Sequence, residues 1–162
     1  MQARMDAAKA APGAYRAMLQ LSGYVEASGL EHSLLELVKT RASQINGCAH
    51  CIDMHTKDAL AMGETAQRLF ALSAWRETPF FTERERAALA WTEAVTLVHD
   101  GGVPDAVYEE ARAHFGETEL VNLTMAVIVI NGWNRVAIPF RVVPGSYVSP
   151  HAANPEPALA TA

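Results

Sequence analysis

The sequence predicts an all-α chain, a helical bundle of about seven helices, and three observations lead there. Apolar residues recur at three- and four-residue spacing through most of the chain. Capping boxes and Gly or Pro breaks punctuate those stretches at helix-sized intervals. The β-branched run Val127-Ile128-Val129-Ile130 has no second strand to pair with, and it lies inside an apolar stretch from Glu117 to Arg135, far longer than a typical strand.

Taken in order, the first residues read as loose. Pro12 suits a first helical turn, and Tyr15, Met18, Leu19 and Val25 give helical periodicity as far as Gly29. Ser28-Gly29-Leu30-Glu31 matches a capping box that opens a second helix with Leu34, Leu35, Val38, Ala42 and Ile45 as its apolar stripe. Asn46-Gly47 is a turn pair. A third helix follows, with Asn46 as the expected N-cap, and Gly63 closes it. Glu64 to Trp75 reads as a short helix ended by Pro79. Thr82-Glu83-Arg84-Glu85 is a second capping box, followed by Ala88, Trp91, Val95 and Val98 at helical spacing. Gly101-Gly102 and Pro104 mark a loop and a new helix with Val107, Ala111 and Phe115 on one face. Glu117 to Arg135 is the final helix, apolar nearly all round and therefore expected to be buried, in the bundle or inside an oligomer.

At 162 residues, 50% hydrophobic and 19% charged, the chain can bury a real core and reads as one domain over residues 1–143. Residues 144–162, rich in Pro, Ala, Ser and Asn, are expected to form an extended or disordered tail. With 13 basic and 18 acidic residues the net charge is −5, which gives no reason to expect nucleic acid or an anionic membrane as partner. The apolar run Val121 to Trp133 is broken by Asn122 and Asn131 and falls short of the roughly 20 residues needed to span a bilayer. Met1-Gln2-Ala3-Arg4-Met5-Asp6 lacks the apolar core of a secretory signal, so the expected compartment is the cytoplasm. There, a paired cysteine motif reads as catalytic or metal-binding rather than as a structural staple.

The chain's two cysteines, Cys48 and Cys51, stand three residues apart with His50 between them and His55 beyond. On a helix, Cys48, Cys51 and His55 share one face. In the first helical turn, unpaired backbone N–H groups and the macrodipole favour a thiolate, the form in which a cysteine does redox chemistry. His55, one turn past Cys51, can accept its proton, and Glu36 on the preceding helix can orient the His55 ring from its far nitrogen. A thiolate attacking a peroxide becomes a sulfenic acid, which a neighbouring thiol condenses to a disulfide. Which cysteine attacks stays open on these grounds. Helix-start CxxC motifs often activate the first, Cys48, whereas the i+4 spacing pairs His55 with Cys51.

The pattern Glu-x11-Cys-x-His-Cys-x3-His, filled by Glu36, Cys48, His50, Cys51 and His55, resembles the active-site motif of alkylhydroperoxidase D, within the carboxymuconolactone decarboxylase-like superfamily. Ser43 to Cys51 is similar to that family's usual wording, as are Asn131-Gly132-Trp133-Asn134-Arg135 and Phe140 to Tyr147, so the resemblance spans roughly residues 15 to 147. It implies an all-α fold, trimers or hexamers, and thiol-dependent peroxidase activity with no cofactor. It further implies a peroxidatic Cys51, a resolving Cys48 more open to the reductant, and a proton relay of Glu36, His50 and His55. Electrons would come from a dithiol donor such as a lipoyl protein, and some relatives pass them on to a peroxiredoxin.

Competing readings use the same residues. Two thiolates and a histidine supply zinc ligands, though no second CxxC completes a knuckle and His50 points off the shared helix face. A lactone decarboxylase needs carboxylate-binding and acid–base groups rather than a dithiol. A non-enzymatic redox sensor would use the dithiol as a switch. Trp75, Trp91 and Trp133, with Met54, Met62 and Met125, read as core or subunit interface rather than as a cofactor pocket.

Overall fold

A computed structural model describes residues 1–152 of the chain. Among them there is no strand. Eight α-helices run in the order α1 (Ala7–Ala10), α2 (Pro12–Glu26), α3 (His32–Asn46), α4 (Ala49–Ala61), α5 (Ala66–Ala71), α6 (Glu83–Thr96), α7 (Asp105–His114) and α8 (Glu117–Phe140), with a 3-10 segment at Leu72–Glu77. The all-α class holds. The eighth helix is the single turn α1, capped by the Asp6 side chain on Lys9 N–H, in the stretch expected to be loose.

Two helix starts differ from expectation. Ser28 does not cap α3: the helix begins at His32, and the Ser28 hydroxyl is buried without a partner among the described residues. The Glu31 carboxylate of that supposed box is taken instead by Arg84 at 3.1 Å. The second box does form, with Thr82 and Glu85 satisfying each other's backbone N–H groups at the start of α6.

The centre of the bundle is α3, which packs against α4, α6 and α8. Residues Leu34 to Thr40 are buried on every side, Glu36 and Lys39 included. A two-sided core results. Leu34, Leu35 and Val38 face α2, α6, α7 and α8 around Phe115 and Leu123, while Leu37 faces Leu69, Leu72 and Trp75. Each fully buried leucine contributes about 2 kcal/mol, so α3 is a helix held by its neighbours rather than by its own propensity.

α8 runs beyond Arg135 to Phe140 and carries Pro139 in its last turn, where the missing N–H costs only one bond. At 24 residues it is long and apolar enough to cross a membrane by length and composition. Its packing is that of a core helix, with Leu123, Val127, Ile130 and Asn134 fully buried against α2, α3 and α6. It is not buried all round, because Val121 and Ile128 are about half exposed, at 61% and 48%. The carbonyls at its end are met by the N-terminal segment: Arg4 N–H donates to Phe140 O at 2.9 Å and the Arg4 guanidinium to Pro139 O at 3.1 Å.

After α8 the chain crosses α4. Gly145 N–H donates to Asp53 Oδ2 at 2.9 Å, Lys57 Nζ to Tyr147 O at 3.0 Å, and Tyr147 OH to the Asp58 carboxylate at 2.9 Å. This is the first part of the stretch expected to be an extended or disordered tail, and residues 153–162 lie outside the described residues.

Candidate active site

The site grows out of the corner between α3 and α4. Gly47 ends α3 in the left-handed conformation (φ 69°), with Gly47 N–H on Gln44 O and Cys48 N–H on Ser43 O, which reverses the chain within two residues. Asn46 is therefore the last residue of α3 and does not cap α4. Its side chain turns the other way, donating to Asn131 Oδ1 at 3.0 Å and Asn134 Oδ1 at 2.8 Å, while Asn134 donates to Ser43 Oγ at 3.1 Å. Cys48 takes the cap instead: its backbone is extended, and its sulfur accepts from Cys51 N–H at 3.4 Å. The two cysteines are joined as a disulfide, their Cα atoms 5.4 Å apart. Reduced, both sulfurs would lie among the free N–H groups of the first turn, where a thiolate is favoured.

Both cysteines are buried, at 1% and 2% exposure, in a cluster with Ala42, Ile130, Ala137 and Val142. Cys48, which the resemblance implied to be the thiol more open to the reductant, is the more buried of the two here. Cys51 reaches space: with His50 and His55 it lines a cavity of about 590 Å³. The rest of that cavity is mostly apolar, with Leu19, Ile130 and Val142 among its walls, and the N-terminal residues Ala3 to Ala8 also line it. Met54 and Trp133, expected to be core or interface, line it too.

Glu36 reaches His55. Both are buried, and His55 Nδ1 lies 2.9 Å from Glu36 Oε2. A carboxylate only accepts, so Nδ1 carries the hydrogen and Nε2 is the nitrogen left for a proton from elsewhere. The other Glu36 oxygen accepts from Lys39 Nζ at 2.6 Å, and Lys39 also donates to Glu26 Oε1 at 2.6 Å. Burial works to raise the Glu36 pKa, but the hydrogen bond from His55 and the charge and hydrogen bond of Lys39 outweigh it and hold the carboxyl below its usual range. Burial works to lower Lys39, but the two carboxylates outweigh it and raise the ammonium's pKa. His50 is pushed below its ordinary value by burial, against the Val143 carbonyl and Asp53, so its ring is a neutral imidazole near pH 7. Its Nδ1 has no hydrogen-bond partner among the described residues.

On the far side of Glu36, Asp58 and His55 border a second pocket of about 640 Å³, lined mostly by ionisable residues, that also touches Glu26, His32, Lys39 and His151. Glu36, His55 and Asp58 each bring a donor atom within 4.8 Å of the others, a spacing able to hold a metal ion. Each of these carboxylates is already engaged, however, Glu36 by Lys39 and Asp58 by Tyr147. Burial and the Asp58 hydrogen bond raise the Tyr147 pKa, so its hydroxyl stays a donor.

The disulfide joins Cys48 to Cys51, Glu36 meets His55, and His50, Cys51 and His55 line one cavity. Lys39, Glu26, Asp58 and Tyr147 were not singled out from the sequence. The signal available for Lys39 was its i+3 spacing from Glu36, which by itself reads as an ordinary exposed ion pair.

Fold and site together define an all-α bundle with a cysteine pair at a helix start beside a buried Glu–His pair. Residues 12–94 match the Carboxymuconolactone decarboxylase family. A protein of Bacillus subtilis (strain 168) described as uncharacterized, YdfG, is 42% identical over 138 residues, covering 85% of this chain and 94% of its own. The chain belongs to the carboxymuconolactone decarboxylase family. Its fold is also similar to a crystal structure from Agrobacterium tumefaciens, a protein of unknown function described as a putative antioxidant defence protein AhpD. That structure has a TM-score of 0.86 and 47% identity, covering 88% of this chain and 98% of the other. A peroxidase-related protein from Ralstonia eutropha JMP134, described as an alkylhydroperoxidase AhpD core, shares the fold at a TM-score of 0.70 with 21% identity, covering 82% and 71%.

Proposed function

We propose that this protein is a thiol-dependent peroxidase that reduces organic hydroperoxides through Cys51 and Cys48. The observation that carries the reading is the placement of Cys51 and His55 on the wall of one apolar cavity, with Glu36 holding the far nitrogen of His55 at 2.9 Å. In the reduced protein His55 Nε2 takes the Cys51 proton. The Cys51 thiolate attacks the terminal oxygen of the hydroperoxide, forming an S–O bond as the O–O bond breaks, and the departing alkoxide takes up a proton and leaves as the alcohol. Cys48 then attacks the Cys51 sulfenic sulfur, water leaves, and the disulfide forms. An outside dithiol restores the pair by exchange, giving up two electrons and two protons as it becomes a disulfide itself. His50, neutral and on the same cavity wall, completes the proton relay.

The cavity supports an organic body on the hydroperoxide, because a large apolar volume beside the thiol offers nothing to hydrogen peroxide alone. The cycle calls for a dithiol donor, in our reading a lipoyl-bearing protein, with onward transfer to a peroxiredoxin as a further route. A reducing, cytoplasmic setting suits a pair that must be re-reduced. Self-association as a trimer or hexamer is supported by Val121 and Ile128 on the outward face of α8. A lactone decarboxylase reading is weakened by the cavity's makeup, since its lysine, Lys39, is already held by two carboxylates. The test is peroxide consumption by single-cysteine variants. Cys51→Ser should abolish it, while Cys48→Ser should give one turnover and stop. A burst from Cys51→Ser and none from Cys48→Ser would reverse the roles.

A further inference from the structure

Lys39 is an unusual neighbour for a thiol site. Its side chain is only 10% exposed, and it sits where the apolar cavity and the second pocket share a wall with His55. The carboxyl, imidazole and thiol groups that line these two spaces with it are Asp6 from the N-terminal segment, Glu26 from α2, Glu36 and His32 from its own helix, His50, Cys51, His55 and Asp58 from α4, and His151 from the segment after α8. Of these it bonds the carboxylates of Glu26 and Glu36, each at 2.6 Å. A buried ion pair is a weak source of stability, and apolar residues of similar volume commonly replace one without loss. What an apolar residue would not supply here is positive charge beside the carboxylate that orients His55.

We propose that Lys39, anchored by Glu26, is a positioning residue of the dithiol site: its ammonium keeps Glu36 ionised and turned toward His55 Nδ1, so that Nε2 stays the proton-accepting nitrogen. The same charge favours the Cys51 thiolate across the cavity wall. The inference rests on the dithiol reading of the site, yet it concerns the ionisation of Cys51 and not the identity of the oxidant. Glu36 would lose its ionic partner if Lys39 became neutral, and a protonated Glu36 would no longer require a hydrogen on Nδ1.

The experiment is the pH dependence of Cys51 alkylation by iodoacetamide, a neutral probe, in reduced full-length protein carrying Cys48→Ser so that Cys51 is the lone thiol. Lys39→Met should shift the profile to higher pH and slow alkylation at pH 7 by about three- to tenfold, with the high-pH limit kept. Lys39→Arg should restore the parental profile. If Lys39→Met fails to fold by circular dichroism, Lys39→Gln, which keeps amide hydrogen bonds without the charge, carries the same test. A folded neutral variant with the parental profile overturns the proposal, and so does Lys39→Arg behaving like Lys39→Met. The readout is independent of turnover. Protein that consumes no hydroperoxide but shows the shift defeats the peroxidase reading alone, and turnover with an unmoved profile defeats the Lys39 role alone.

Discussion

At the scale of single residues, chemistry depends on what each side chain touches more than on its type. Glu36 would be an ordinary helix charge if exposed; buried between His55 and Lys39, it has an ionised carboxylate with both oxygens committed. Glu36→Gln keeps the volume but removes the charge that fixes the His55 hydrogen on Nδ1. Oxidation of Cys51 by an organic hydroperoxide in stopped-flow should slow by about 100-fold, with two thiols per reduced chain still present. A loss below threefold would remove Glu36 from the relay. Cys48, Cys51 and His55 were legible as one face of one helix, whereas Glu36 was lifted above an ordinary helix charge only by the family resemblance, and its reach to His55 lay beyond the sequence. Lys39 was not legible, since an acid–base pair three residues apart looks the same whether solvated or enclosed, and only its burial in the fold and its second carboxylate, Glu26 of α2, tell them apart.

At the scale of elements, the α3–α4 corner sets the position of both sulfurs. Its left-handed residue had to be glycine, and Asn46-Gly47 announced a turn, but the turn pair suggested the wrong cap. Asn46 is drawn away by Asn131 and Asn134 on α8, partners 85 and 88 residues distant, which no local rule reveals. Gly47→Ala, forced to φ 69°, should lower unfolding free energy by about 1 kcal/mol in urea titration. No measurable change would mean that the corner relaxes into another conformation. Helix boundaries with a complete local signal, such as Thr82 and Glu85, were legible for the opposite reason: both partners of the cap lie within four residues.

At the scale of the whole molecule, the all-α class followed from periodicity, caps and the lack of a partner strand, whereas the cavity could not, because its walls come from the N-terminal residues, α2, Lys39 of α3, α4, α8 and the Val142–Val143 segment. The buried charges give the fold a defined pH response. Glu36, ordinarily at 4.5, is depressed in the folded protein, so its contribution is present above 4.5 and is lost as pH falls through the lower folded value. His50, ordinarily at 6.5, is also depressed, and folding that keeps it neutral loses stability as pH falls below 6.5. Lys39, raised above 10.5, contributes below 10.5 and loses that contribution only as pH rises through the folded value. Urea midpoints should therefore be flat from about pH 7 to 9, slip slightly below 6.5 and fall steeply below 4.5. The acid fall should be shallower in Glu36→Gln, and an identical slope in that variant would contradict the assigned charge state.

The account turns on a dithiol that cycles, and counting thiols tests that most directly. Reduced protein should show two reactive thiols per chain, none after one equivalent of tert-butyl hydroperoxide, and two again after dihydrolipoamide. Two thiols surviving the hydroperoxide, or a loss that no dithiol restores, would contradict it.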